Sequence, residues 1–340
     1  MSDLFNKLLL LRTPGVGPVR YAQLVRQFGS VDAAAGAVSI DTGVHESVLR
    51  EMERASALGV VYVSDDDVLY PDALRRVKNH PPVISVRGNL KVLSKKMFSV
   101  IGTRHATAAG MEMVSSIAQR IAENSGVVVS GMAIGTDTAA HRGALRADGD
   151  AQTIAVLAGG VDYIWPLENE SLYYQILERG AIVSEMPVGF VPVANNFVQR
   201  NRWVAGLADT VILGEADLKS GSMTTARFAI DYGRDLWAIP SHPLDSRALG
   251  PNSLIRSGDA KLCMGPDDFF QTDKKIKKDE KKSAKIESEI SLIDILGNIP
   301  ASESVLSEIV KKPISEIKSI LVVLELQGLV RKVNGGYVRA

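Results

Sequence analysis

The sequence has one cysteine, Cys263, and five histidines in 340 residues. A lone thiol forbids an intrachain disulfide and a cysteine-cluster zinc site, and no two histidines stand at metal-binding spacing, so no metal site is expected. No apolar run approaches the about 18 residues that span a bilayer. The first residues, MSDLFNKLLLLRTPG, place an acid before a short apolar stretch and carry no secretory cleavage pattern, so the expected location is the cytoplasm, with no membrane partner. Net charge is absent too, because 39 basic residues cancel 39 acidic ones. The whole molecule therefore offers a polyanion no attraction, and a nucleic-acid site must be local. No G-x-x-x-x-G-K-[ST] loop occurs and no G-x-G-x-x-G follows a strand. Nucleoside triphosphate hydrolysis and nicotinamide or flavin binding thus lack their usual phosphate cradles, and no cofactor is expected.

What is present is ordinary globular composition, 46% hydrophobic and 23% charged, in a chain long enough for two or three domains. Residues 1–70 read as a small helical module, with apolar runs broken at Pro14-Gly15 and Gly29. From about Pro81 the texture changes to short β-branched runs, PPVISVRG, MFSVIG, GVVVSG, TIAVLAGG, AIVSEMP, DTVILGEA and DLWAIP, most of them separated by helix-like segments. Continuous apolar runs in alternation with helices predict a doubly wound α/β core over 71–270, with a mostly parallel sheet covered on both faces. Residues 271–289, with seven lysines and five acids, read as a charged flexible linker. Residues 290–340 give three helices and a hairpin around Asn334-Gly335, the order of a winged helix.

Five segments can carry chemistry. In PGVGPVR the glycines can turn backbone amides toward a phosphate, as helix-hairpin-helix motifs do, with Arg20 assisting; a packed turn explains them equally well. SVIGTRHATAAG places Arg104 at the carboxyl end of a strand, before a helix starting near Thr103 or Thr107. Open α/β sheets bind ligands at that edge, so Arg104 can hold a phosphate there or pair with a structural carboxylate. VVVSGMAIGTDTAAHRGAL repeats the arrangement with a helix capped by Thr136 or Asp137. Asp137 and His141 share one helix face as a conceivable acid and base, although a cap and a hydrogen-bonded histidine are the commoner explanation. NNFVQRNRWVAGLAD gathers Phe197, Arg200, Asn201 and Arg202 ahead of an apolar helix over 203–207. An aromatic ring can stack on an unpaired base while guanidinium groups hold phosphates; alternatively Phe197 is core and one arginine, Arg202 foremost, is buried against an acid such as Glu185. Finally, Lys219, Ser220, Gly221 and Ser222 open a helix after the strand DTVILGEA and have the makings of an anion nest.

Taken in order, these segments together with TIAVLAGGVDYIWPLENESLYYQI, VSEMPVG, KSGSMTTARFAIDYGRDLWAIP and LGPNSLIRSGDAKLC resemble the DNA-processing protein A family (DprA, also called Smf) over nearly the whole chain. The resemblance implies an extended Rossmann-like core with a helical amino-terminal domain and a carboxy-terminal winged helix. It implies sequence-independent binding of single-stranded DNA without catalysis, a homodimer formed through the core, and assistance to RecA loading in natural transformation. It points to Arg104, Phe197, Arg200, Asn201, Arg202, Lys219, Ser220, Gly221 and Ser222 as the DNA-binding residues. The chain departs from the family pattern in having Phe197-Val198 where Phe-Pro is usual, which frees an amide and loosens the placement of Phe197. A possible pairing surface is the apolar group Leu254, Ile255, Leu262, Phe269 and Phe270, which could equally be core. The rival functions are a Rossmann-type nucleotide-binding hydrolase and a winged-helix transcription regulator.

Overall fold

The computed structural model describes residues 2–149, 153–270, 292–297 and 300–340. The expected linker over 271–289 lies outside the described residues. The chain divides into two compact units, Met1–Thr272 and Asp273–Ala340.

Four helices open the first unit: α1 (Ser2–Arg12), α2 (Pro18–Phe28), α3 (Val31–Ala37) and α4 (Thr42–Ala57). Their limits come from local chemistry. Pro18 sits in the first turn of α2, where its missing N–H costs nothing, and Gly29 closes that helix in the left-handed region. The side chains of Ser30 and Asp41 accept from the amides of Ala33 and Gly43 to start α3 and α4. Arg12 forks onto Glu51 with two bonds of 2.8 Å, and the Tyr62 hydroxyl donates to the same carboxylate at 2.9 Å, so one buried acid joins α1 and α4 to the residues just beyond the helical module.

Those residues are not helical. The run Val60–Ser64 forms strand β1, inside the stretch that sequence pattern assigned to helices. It is short, and only pairing with a neighbour distinguishes it from the end of α4. After it come α5 (Asp72–Arg75), β2 (Val83–Gly88), β3 (Met97–Ile101), α6 (Ala108–Glu123), β4 (Val127–Ser130), α7 (Thr136–Arg146), β5 (Thr153–Val156), α8 (Glu170–Arg179) and β6 (Ala181–Ser184). The unit ends with α9 (Ala194–Gly206), β7 (Thr210–Leu213), α10 (Gly221–Asp231), β8 (Asp235–Ala238), α11 (Leu249–Ser257) and β9 (Lys261–Leu262). All seven β-branched runs marked in the sequence are strands.

The nine strands form one sheet in the order β1-β2-β6-β5-β4-β3-β7-β8-β9. The β1-β2 and β2-β6 pairs are antiparallel and the rest are parallel. Helices cover both faces, which is why strands such as β4 and β5 are buried along their whole length. From β3 the chain proceeds through β4, β5 and β6 toward one edge, then returns to place β7 on the other side of β3. Neighbours β3 and β7 therefore send their connections in opposite directions, and a crevice opens between them at the carboxyl edge. Within this unit Leu254 is buried, and Phe269 and Phe270 pack on Phe98 with ring centroids 6.4 and 6.1 Å apart. Most of the apolar group considered as a pairing surface is thus core, with Leu262 left 44% exposed.

The second unit holds α12 (Leu292–Ile295), α13 (Glu303–Val310) and α14 (Ile314–Leu326), then the antiparallel hairpin β10 (Val330–Val333) and β11 (Gly336–Arg339). Leu306, Ile317, Leu321, Val330 and Tyr337 form its core. A bridge between Ala301 and Tyr337 adds a third short strand segment. No helix among the described residues is long and apolar enough to cross a membrane.

Candidate nucleic-acid interface

A cavity of about 470 Å³ occupies the crevice between β3 and β7. Arg104, Arg200, Asn201, Lys219, Ser220, Gly221 and Ser222 all line it, so separate stretches of chain deliver seven of the nine expected residues to one place. The other two, Phe197 and Arg202, are elsewhere.

The turn after β3 is held from several sides. Thr103 donates its amide to the Glu215 carbonyl at 2.7 Å, and its own carbonyl accepts from the amide and hydroxyl of Thr136 at 3.1 and 3.0 Å. Thr107, rather than Thr103, caps α6, its hydroxyl accepting from the amide of Gly110 at 2.9 Å. Gly135 caps α7 with φ +79 in place of the expected Thr136 or Asp137; a Cβ there would strike the backbone of Thr103 and Arg104. The backbone around Arg104 is thus fixed while its side chain is exposed. The guanidinium carbon of Arg104 lies 5.1 Å from the centroid of the Trp165 indole.

Arg200 has a different character. It is 5% exposed and lies beneath the cavity, its Nη1 donating to the carbonyls of Gly131 and Val156 and its Nε to Asn201 Oδ1 at 3.2 Å. A Cβ at position 131 would displace that guanidinium, so the glycine lets it approach the backbone. Asp137 also belongs to this floor, accepting from the amides of Gly131 and Ala133 at 3.2 Å each. Burial raises its carboxyl above the usual range against the pull of the Arg200 charge, and burial likewise opposes the charge on Arg200. An arginine stays protonated under such pressure, so the floor holds a desolvated guanidinium beside a carboxyl group whose charge burial opposes. Four residues on, His141 is wholly buried. Thr153 already gives its hydroxyl proton to the Val128 carbonyl, so the 2.7 Å contact with His141 Nδ1 assigns that nitrogen as the donor. Asp137 is thus bonded to the backbone of the turn before α7 instead of capping that helix, and His141 is hydrogen-bonded through Nδ1, with Nε2 buried and without a partner among the described residues.

On the β7 side, Ser220 caps α10 by accepting from the Ser222 amide at 3.3 Å, and the two hydroxyls lie 2.7 Å apart. The amino end of this 11-residue helix and the exposed Lys219 face the cavity opposite Arg104. The helix dipole favours an anion at this end, although Asp217, also in the lining, already accepts from the Lys219 amide at 3.0 Å.

The segment FVQRNR is helical, since α9 begins at Ala194 and not near Trp203. Helical phase then explains which residues assemble. Arg200, Asn201 and Val204 share one face and line the cavity, whereas Arg202 is turned about 200° from Arg200. Its guanidinium carbon lies 4.5 Å from the Trp203 ring centroid, and Nε reaches the Tyr232 hydroxyl at 3.4 Å. Its charge opposes the upward shift that burial imposes on the Glu185 carboxyl, in keeping with the expectation that set Arg202 beside that acid. Phe197 lines a small adjoining pocket with Tyr163, Trp165 and Pro192, its ring 4.5 Å from the Trp165 indole. Trp165 was not among the residues that sequence pattern singled out. Its signal was available, because the motif DYIWP follows a strand that ends at the same edge of the sheet.

The sequence has known relatives. Residues 61–273 match the family described as DNA recombination-mediator protein A, and residues 2–39 match the DprA-like N-terminal HHH domain. Protein Smf of Escherichia coli is 31% identical over 81% of this chain and 76% of its own. The DNA processing protein DprA of Bacillus subtilis is 36% identical over 59% and 67%. This chain spans 66 to 76% of the lengths of these proteins and of the Synechocystis Protein Smf. Among solved structures, DNA processing protein A of Streptococcus pneumoniae superposes with a TM-score of 0.62 at 32% identity, over 77% of this chain and 93% of that one. DNA processing protein A of Helicobacter pylori, whose structure was solved for its single-stranded DNA binding mode, gives 0.56 at 32% identity, over 61% and 93%.

Proposed function

This chain belongs to the DNA recombination-mediator protein A family, and we propose that it binds single-stranded DNA without sequence preference in the crevice between β3 and β7. One observation carries the reading. Arg104 stands at the rim with its guanidinium free of any hydrogen-bond or ion-pair partner among the described residues, across from Lys219 and the amino end of α10. Two cations and a helix start facing one cavity suit a phosphate backbone, and Phe197 in the adjoining pocket offers aromatic surface to an unpaired base. The single-strand binding of the Helicobacter relative supports the same assignment.

Binding without catalysis is the second part of the proposal. The acid and base considered in the sequence do not meet a substrate together: Asp137 accepts from the amides of Gly131 and Ala133, and His141 is wholly buried with Nδ1 on Thr153, outside the cavity lining, which counts against a hydrolase built on that pair. A winged-helix regulator fares no better. The exposed side of α14 presents Val322, Val323 and Leu326 beside Lys318, a poor face for reading a DNA groove.

As a recombination mediator of this family, the protein would work in the cytoplasm as a homodimer and assist RecA on the bound strand, with a winged helix at its carboxyl end. The decisive measurement is fluorescence anisotropy of a labelled oligonucleotide as a single strand and as its duplex, with light scattering for mass. Tight binding of the single strand alone and a mass of two chains support the proposal. Preference for one duplex sequence would replace it with the regulator.

A further inference from the structure

Arg104 poses a physical problem that the rest of the cavity does not. A long, exposed side chain at a rim samples many rotamers, and each must be given up when a phosphate is bound. An acidic partner would orient the guanidinium but would also neutralise it. The side chain that approaches it is instead an indole. The guanidinium carbon lies 5.1 Å from the Trp165 centroid, and no carboxylate or carbonyl contacts it among the described residues.

We infer that Trp165 is a positioning residue of the single-strand site, which holds the Arg104 guanidinium against its ring and leaves the N–H groups free for a phosphate. The inference rests on the binding reading proposed for the crevice. A planar guanidinium is drawn to an aromatic face by the ring quadrupole, and in that arrangement its donors project along the plane, away from the ring. The attraction uses no hydrogen bond, so the full set of donors and the full charge remain available. The indole is itself braced. Phe197 meets it at 4.5 Å with the rings 63° apart, and Pro192 and Tyr163 complete the small pocket around it. Trp165 is reached from the loop after β5, whereas Arg104 comes from the turn after β3. The contact therefore joins two loops of the same sheet edge, and it exists only when both are folded.

The competing explanation is that Trp165 merely fills space beneath the loop. A double-mutant cycle separates the two, read as the affinity of the full chain for a labelled oligothymidylate of about 20 nucleotides, longer than the site size of a typical single-strand fold. Trp165→Phe keeps an aromatic face and is expected to bind within about twofold of the unaltered chain. Trp165→Leu keeps apolar bulk without a quadrupole and is expected to bind about three- to tenfold more weakly. In an Arg104→Ala background the same Trp165→Leu change is expected to cost less than about twofold, because the group it positions is gone. Equal losses in both backgrounds, or no loss at all, would overturn the positioning role while leaving single-strand binding intact. Loss of binding in Trp165→Phe as severe as in Trp165→Leu would overturn it as well. If the unaltered chain leaves the oligonucleotide unbound, the binding reading falls and this role falls with it.

Discussion

Thr107 gives both its backbone amide and its hydroxyl to the carboxylate of Glu215, at 2.6 and 2.5 Å. Thr107 caps α6 after β3, and Glu215 lies directly beyond β7, so one buried acid ties together the two turns whose divergence opens the cavity. Gly110 is part of the same arrangement, because a Cβ there would strike the Glu215 carboxylate. The rim that carries Arg104 is therefore set by a contact outside the cavity's own lining.

Replacing that acid tests how far the rim depends on it. Glu215→Ala leaves the Thr107 amide without an acceptor and is expected to cost about 1–3 kcal/mol of stability. Glu215→Gln, which keeps one acceptor oxygen, should cost less. Thermal unfolding of both variants checks this, and equal midpoints for Glu215→Ala and the unaltered protein would contradict it.

Salt dependence tests the electrostatic part of binding. With about three or four phosphates neutralised, the log-log slope of affinity against salt is expected at about −2 to −3, by the rule of about 0.7 per single-strand phosphate. Arg104→Ala should flatten the slope by about 0.7 and weaken different sequences by similar factors, since a phosphate contact reads no base. A slope near zero would remove the cationic cradle altogether.

The two arginines of α9 should behave in opposite ways. Arg200→Ala strips donors from the carbonyls of Gly131 and Val156, a loss expected at about 1–3 kcal/mol for buried acceptors left unpaired. Arg202→Ala removes a contact with Trp203 at the half-buried opposite face and is expected to cost about 1 kcal/mol or less, with DNA affinity within about twofold. Urea unfolding and anisotropy on both variants measure this. A large binding defect in a stably folded Arg202→Ala would restore that residue to the site.

Acid should act through His141. Burial lowers its pKa to about 3, so between that value and the ordinary value of about 6.5 the unfolded chain binds a proton that the folded chain does not. Stability then falls as pH drops through that window, by at most about 1.4 kcal/mol per pH unit from this group. His141→Leu should flatten that part of the decline when urea midpoints are compared across the window. An unchanged acid limb in the variant would assign the effect to other groups.

The architecture was legible because burial on both faces of a parallel sheet demands uninterrupted apolar runs, and such runs stand out in the sequence. Strand β1 was not, since Val60–Ser64 comes directly after a long helix and owes its conformation to β2. The site was legible in its glycine turns and the residues after them, Arg104 and 219–222, where chain order and strand ends coincide. Helical phase divides the run: Phe197 stays on the face of Arg200 and lines the adjoining pocket with it, whereas Arg202 is turned away, a separation that proximity in sequence does not reveal.

Sequence by itself determined that the chain folds around a mostly parallel sheet and that its candidate cations lie just past strand ends, since apolar runs, caps and glycine turns are local properties. The tertiary structure alone decided which of those cations meets solvent and which is sealed below it. Arg104 and Arg200 are the same residue type, each against a glycine turn. One stands on an indole with its donors free, and the other gives its donors to carbonyls of the sheet edge. That difference comes from strand order and the phase of α9, which bring distant segments together and leave no trace in the residues taken one at a time.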